Sequence, residues 1–227
     1  ISGVYIKVLK ERLVMAATDS FRLGEKTIKT NVSSNIKDAS FIIPQRAVRE
    51  VINIFSEKEG QIRIYLEEGQ VMFERMLEET DHPQVQLISK LIEGQYPQYT
   101  EIIPKKYKTE ARLEKEEFLR HIKTASLFSG RISEIKIKVS PKNKLIEFFC
   151  QNPELGEHRS AFRGDIQGEE SEVSFNFRFL LDGIENIKTS EVLFALSERK
   201  EGDEGPGVIK PIGDDSYIYI AMPIQAS

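Results

Sequence analysis

Apolar and polar residues alternate over 4–8 and again over 13–17, and the polar triplet Lys10-Glu11-Arg12 between the two runs predicts a β-hairpin. The pattern returns downstream, where 135–139 and 145–150 flank the turn Pro141-Lys142-Asn143-Lys144. Each hairpin runs on to a Leu-Gly pair, Leu23-Gly24 in the first case and Leu155-Gly156 in the second. From Leu13 to Leu145, and from Gly24 to Gly156, the spacing is the same, 132 residues.

That spacing holds into the next element. Residues 43–55 lie opposite 175–187, with Arg46 falling on Arg178 and Ile52 on Ile184. Both segments predict amphipathic helices: Pro44 suits a first-turn position, Asn176 suits an N-cap, and apolar residues recur three and four apart. Strands follow at 61–66 and 71–77 in the first copy and at 191–196 and 217–222 in the second. A further helix is predicted over 113–128, with Phe118, Ile122 and Ala125 on one face and Leu119 alongside. It has no counterpart ahead of residue 1, so the chain reads as truncated at its N-terminus. The pattern as a whole is a tandem repeat of one α+β unit. The Pro-bounded, then basic stretch 95–106 reads as a linker, which places the domains at 1–105 and 106–227.

With 40% apolar residues in 227, the chain can bury at least one full core; its length favours two domains over one long one, and the repeat fits two better. No apolar run approaches the roughly 18 residues that span a bilayer, and residues 1–5 carry neither a basic leader nor a small-residue cleavage site. A cytoplasmic protein that enters no membrane is expected. The single cysteine, Cys150, sits in an apolar run and is expected to be a buried structural thiol. A net charge of -4 counts, as a sum, against a nucleic-acid partner, but the distribution changes the picture. Arg46, Arg49 and Asn53 oppose Val48, Val51, Ile52 and Phe55 on one helix; Arg120 and Lys123 face away from Phe118, Ile122 and Ala125 on another; Arg178 adds a third basic position. An ordinary solvated face explains any one of these helices. Their recurrence on repeat-related elements of an acidic chain points instead to phosphate contacts, which need local cations only. Stacking aromatics and a base-reading helix are absent, so DNA contact is expected to be sequence-neutral.

Catalytic signatures are missing: there is no glycine-rich phosphate loop, His-Glu-x-x-His, cysteine pair or nucleophile elbow. Glu78, Glu79, Asp81 and His82 are ligand types that a divalent metal accepts, and a metal hydrolase built on them is the enzyme alternative. They form one contiguous loop with no second ligand cluster, which favours a solvated loop. Thr18-Asp19-Ser20 has no nearby His to complete a triad, and Asp214-Asp215 after Gly213 reads as a turn. No catalytic residue, metal or cofactor is assigned.

Several of these segments are similar to a known family. Ala17-Thr18-Asp19-Ser20-Phe21-Arg22-Leu23, the stretch from Ser89 through Gly94-Gln95-Tyr96-Pro97-Gln98-Tyr99 to Ile103-Pro104, and Tyr219-Ile220-Ala221-Met222-Pro223-Ile224 resemble, in order along the chain, the bacterial beta sliding clamps. These are processivity subunits of the replicative DNA polymerase III holoenzyme. The family has three related domains, and this chain resembles most of the second and all of the third. The resemblance implies tandem α+β clamp domains with antiparallel sheets outside and amphipathic helices on the inner face. It further implies a non-catalytic, head-to-tail homodimeric ring in bacterial cytoplasm, with double-stranded DNA threaded through its pore. The basic helix positions Arg46, Arg49, Arg120, Lys123 and Arg178, chosen by pattern, are the candidate DNA contacts. Because the family's ring joint uses its first domain, this chain is expected to be monomeric.

The resemblance also implies an apolar groove between the second and third domains that receives linear peptides of polymerases, the clamp loader and repair proteins. Its matching positions are Ile1, Thr18, Ser20, Phe21, Arg22, Leu23, Pro97, Ile102, Ile220, Met222, Pro223 and Ile224, with Asn176, Phe179 and Pro206 on the other wall. Greasy pockets plus a few polar groups suit an extended peptide, although Leu23, Ile220 and Met222 also suit a plain core. Two departures bear on partner preference: Glu101 stands where the family commonly has a basic residue, and Gln225-Ala226-Ser227 replaces its usual tail. The loop 78–84 is longer than is typical of the family. A stand-alone peptide-binding adaptor that never meets DNA is the alternative to a clamp.

Overall fold

The computed structural model describes residues 2–30, 38–56, 60–76, 82–198 and 204–224. Its chain divides into two compact units, Ile1–Ala17 with Lys26–Gln98, and Thr18–Glu25 with Tyr99–Ser227. The change at Gln98–Tyr99 falls inside the stretch read as the linker. Among the described residues no helix is long and apolar enough to cross a membrane.

In the first unit, β1 (Gly3–Leu9) pairs antiparallel with β2 (Arg12–Thr18) in the register Tyr5↔Ala16 and Val8↔Leu13, so the first predicted hairpin is present. The chain then passes through β3 (Arg22–Lys29) and returns as β4 (Ala39–Pro44) on the other side of β1. Helix α1 (Gln45–Phe55) follows directly. Pro44 precedes it with φ -57 and ψ 141, extended as an N-cap should be, and contributes no side-chain cap. β5 (Arg63–Glu67), β6 (Gln70–Met76) and β7 (Pro83–Lys90) then form a three-stranded antiparallel sheet. The unit's core gathers Ile6, Leu13, Phe41, Ile43, Phe55, Val71 and Phe73.

The second unit repeats this plan and adds to it. β8 (Thr109–Glu114) alternates strictly, Thr109, Ala111 and Leu113 inward and Glu110, Arg112 and Glu114 outward, the signature of a strand with one buried face. Glu114 caps α2 (Lys115–Ser126) by accepting from the backbone N–H of Glu116 and Glu117 at 3.2 and 2.5 Å, where an acid also complements the helix dipole. As its spacing predicts, α2 buries Phe118, Leu119, Ile122 and Ala125. β9 (Glu134–Ser140), β10 (Leu145–Asn152), β11 (Gly156–Arg163), β12 (Asp165–Gly168) and β13 (Ser171–Asn176) lead to α3 (Phe177–Glu185), which Asn176 caps through Arg178 N–H at 3.0 Å. β14 (Glu191–Glu198), β15 (Glu204–Pro211) and β16 (Tyr217–Ala221) end the chain. One sheet runs β11-β10-β9-β13; the other runs β12-β8-β14-β15-β16, followed by the start of β3, whose residues 22–25 belong to this unit. The core between them is centred on Phe118, Phe148, Phe175 and Phe194.

Two strands run through residues of a kind or place that ordinarily marks a turn or loop. β15 contains Gly205-Pro206-Gly207, residues that ordinarily mark a turn. The glycines serve close approach here: a Cβ at Gly205 would stand 2.4 Å from Ser197 O, and one at Gly207 would stand 2.8 Å from the Phe175 ring. β7 begins at Pro83, within the loop 78–84; residues 78–81 lie outside the described residues.

The reading of α1 needs one correction. Ile52, placed on its apolar face, is 58% exposed, whereas its repeat counterpart Ile184 is fully buried. The helical periodicity is the same, but α3 has α2 packed beside it, and α1 rests on β1 and β4. The pair therefore makes an internal control. Ile184→Ala should cost about 2 to 5 kcal/mol and Ile52→Ala under about 1 kcal/mol in urea unfolding. Equal losses at the two sites would show that Ile52 is covered in solution.

Candidate peptide-docking site

The residues Thr18-Asp19-Ser20-Phe21-Arg22 build a tight turn out of their own side chains. Asp19 Oδ1 accepts from the N–H of Phe21 and of Arg22 at 3.1 and 3.0 Å, and Thr18 Oγ1 donates to Arg22 O at 2.8 Å. Ser20 N–H donates back to Thr18 Oγ1 at 3.3 Å, and Ser20 itself is held at φ 74, the left-handed region that a non-glycine residue seldom occupies. This geometry turns Phe21 outward, where it is 63% exposed.

Arg22 ties the turn to α3. Its Nε bonds Asp19 Oδ2 at 2.8 Å, its Nη1 bonds Asp182 Oδ2, and its guanidinium lies 4.5 Å over the ring of Phe179. Phe179 in turn stacks on Phe21, centroids 6.5 Å apart and planes 29° from parallel. Partial burial works against the charge of Arg22, but the bonds to Asp19 and Asp182 outweigh it and hold the group above the usual arginine range. The chain end is fixed alongside: Met222 N–H donates to Phe21 O at 2.8 Å and Ile224 N–H to Ser174 O at 2.8 Å. Half-buried Met222, Pro223 and Ile224 are thereby set on a strand-like segment beside the Phe21 turn.

The sequence-predicted positions separate into three groups. Thr18, Ser20, Phe21, Arg22, Phe179 and Met222 come together as described, with Pro223, Ile224 and the capping Asn176 adjoining them along the chain. Leu23, Ile220 and Pro206 are buried and offer no open surface. Ile102 is exposed just after the short 3-10 turn Tyr99–Glu101, whose Tyr99 hydroxyl donates to Glu25 Oε2 at 2.7 Å. Pro97 is exposed in the first unit, and Ile1 lies outside the described residues. Sequence reasoning missed Asp182, Tyr219 and Gly183, which support the site from behind. Burial raises the Tyr219 phenol to about 12, with Arg22 pulling the other way.

The basic positions also differ among themselves. Arg46 and Arg49 are exposed on α1, with no carboxylate partner among the described residues. On α2, Arg120 pairs with Glu117 at 3.1 Å and Lys123 with Glu185 at 2.7 Å. Arg178 is exposed, 5.7 Å over the Phe177 ring. Cys150 is buried and donates to Glu134 O at 3.3 Å; burial, followed by the charge of Glu134, raises its thiol to about 11 and leaves it protonated at neutral pH. No three His, Cys, Asp or Glu side chains converge as a metal site among the described residues.

Gly183 tests the support behind Arg22. Alanine at a helical glycine normally gains up to about 1 kcal/mol, but a Cβ here would stand 2.4 Å from the Tyr219 ring. Gly183→Ala should therefore lower the melting temperature; a rise would mean that Tyr219 moves aside at no cost.

Comparison with known proteins extends over the whole chain. Residues 1–98 match the DNA polymerase III beta subunit, central domain, and residues 100–225 match the DNA polymerase III beta subunit, C-terminal domain. A beta sliding clamp of Staphylococcus aureus is 30% identical over 226 residues, which are 99% of this chain and 56% of that protein. This chain thus spans little more than half the length of the relative. The crystal structure of the DNA polymerase sliding clamp from Bacillus subtilis superposes with a TM-score of 0.89 at 28% identity, covering 100% of this chain and 57% of that one. That of the DNA polymerase III beta subunit from Thermotoga maritima gives 0.85 at 21% identity, a likeness of fold, covering 100% and 58%.

Proposed function

Because the chain belongs to the DNA polymerase III beta subunit family, we propose that it is the central and C-terminal part of a sliding clamp. The clamp encircles duplex DNA as a head-to-tail homodimer and docks linear peptides of polymerase, clamp-loader and repair proteins. The role is one of tethering, without catalysis, in the bacterial cytoplasm. The division 1–105 and 106–227 is the proposed domain boundary.

One observation carries the docking half of this reading: an aromatic and apolar row, exposed Phe21 with half-buried Phe179 and Met222, stands beside a charged group fixed by Asp19, Asp182 and the Phe179 ring. An extended peptide with apolar anchors needs greasy surface next to preorganised polar atoms, and exposed large apolar residues held in place supply it. Titration of the chain with a Gln-containing peptide bearing Leu and Phe anchors should saturate. Phe21→Ala and Met222→Ala should each weaken it about tenfold while melting as wild type does. Leu23→Ala is a poorer probe, since Leu23 is buried and its truncation acts on stability first. A folded wild type that binds no such peptide would remove the docking claim.

The DNA half rests on Arg46, Arg49, Arg120, Lys123 and Arg178 as diffuse phosphate contacts. Each phosphate neutralised adds about 0.9 to the slope of log affinity against log salt. Charge reversal of Arg46 and Arg49 together should flatten that slope by about 1.8 for duplex DNA of any sequence. An unchanged slope, or no DNA binding at low salt, would favour the peptide-binding adaptor instead.

A further inference from the structure

The Phe21 site carries an unbalanced charge. Two carboxylates, Asp19 and Asp182, meet one guanidinium, Arg22. Asp19 Oδ1 is occupied by two backbone N–H groups and Asp19 Oδ2 by Arg22 Nε, so that carboxylate is spent. Asp182 is different: Arg22 takes Oδ2, and among the described residues nothing donates to Oδ1 of this side chain, which is 58% exposed. The nearest cation along α3, Arg178 one turn earlier, lies over the Phe177 ring and leaves Asp182 unpaired on that side. Lys123 is engaged by Glu185.

The aromatic groups are asymmetric in the same way. Phe179 has the Arg22 guanidinium over its ring and Phe21 stacked beside it. Phe21 is packed against Phe179 but otherwise largely open to solvent. An aromatic face carries negative potential and attracts a cation, and a guanidinium, being flat, both stacks on a ring and forks onto a carboxylate. A second guanidinium on Phe21 would extend the row that Arg22 begins and bring a donor to the unused oxygen of Asp182.

We propose that the linear peptide taken by this site carries an arginine next to its apolar anchors, stacked on Phe21 and hydrogen-bonded to Asp182 Oδ1. The proposal rests on the docking reading above and specifies the chemistry of the docked peptide. An acidic residue at the same place meets the carboxylate excess and the negative ring face, and is disfavoured. Glu101, exposed on the 3-10 turn of the same unit, adds no cation to offset this.

The test is fluorescence anisotropy on the full chain with labelled peptides of constant Leu and Phe anchors, carrying Arg, Gln or Glu on either side of the anchors. In one of the two positions Arg should bind about tenfold more tightly than Glu, with Gln between, and the gap should narrow as salt rises. In Asp182→Asn the Arg-to-Glu ratio should fall toward one, whatever happens to absolute affinity. Phe21→Leu, at an exposed position that folding does not depend on, should reduce the same ratio and serves should Asp182→Asn fail to fold. Equal affinities for the three peptides, tighter binding of the Glu peptide, or a ratio unmoved by the substitutions would overturn the charge selection and leave the docking reading standing. Failure of a folded chain to bind any of the peptides would overturn both.

Discussion

The candidate docking site depends on the fork of Arg22. One side chain closes the turn from which it comes, through Asp19, and ties that turn to α3, through Asp182 and the face of Phe179. Without that tie Phe21 would sit on a free turn, and ordering it on binding would cost conformational entropy. Lysine could not replace it, since a single ammonium cannot bond two carboxylates in fixed directions while lying flat on a ring. An isolated surface pair contributes little; the value of Arg22 lies in holding a geometry, with the hydrogen bonds to Asp19 and Asp182 keeping the group charged against the cost of partial burial.

How much of this was legible in the sequence depended on how local the determining interaction is. The 132-residue repeat surfaced because hairpins and amphipathic helices write their periods directly into the chain: β4 and β13 share that offset residue for residue, and α1 and α3 start on it. β15 stayed hidden because its glycines are chosen for contact with Ser197 and Phe175, partners that the local pattern does not reveal. Ile52 was misjudged for a similar reason: periodicity gives the face of a helix, and only packing decides whether something covers it. At the site, Thr18 through Arg22 could be found as a motif, since the turn is closed by its own side chains. Asp182 stands 160 residues from Arg22 and looks like any exposed helical acid, and Gly183 looks like a weak point in α3 until Tyr219 is placed against it.

Two uses of arginine follow from the two proposed partners, and they call for opposite environments. A docked peptide is recognised by shape and fixed direction, so Arg22 is partly buried, bonded on several sides and kept from rearranging. A duplex that slides must be held by contacts that form and break without a preferred register, which asks for long, exposed, weakly committed side chains. Arg46 and Arg49 meet that requirement, being exposed with no carboxylate partner among the described residues. Arg120 and Lys123 meet it less directly, through exposed pairs with Glu117 and Glu185. Pairs of that kind contribute no more than about 1 kcal/mol, so a phosphate can exchange for the carboxylate at little cost. The acidic partners also limit how tightly any one cation can hold. The net charge of -4 is then compatible with a DNA-tethering role, because sliding needs a modest local excess of positive charge and is hindered by a large one.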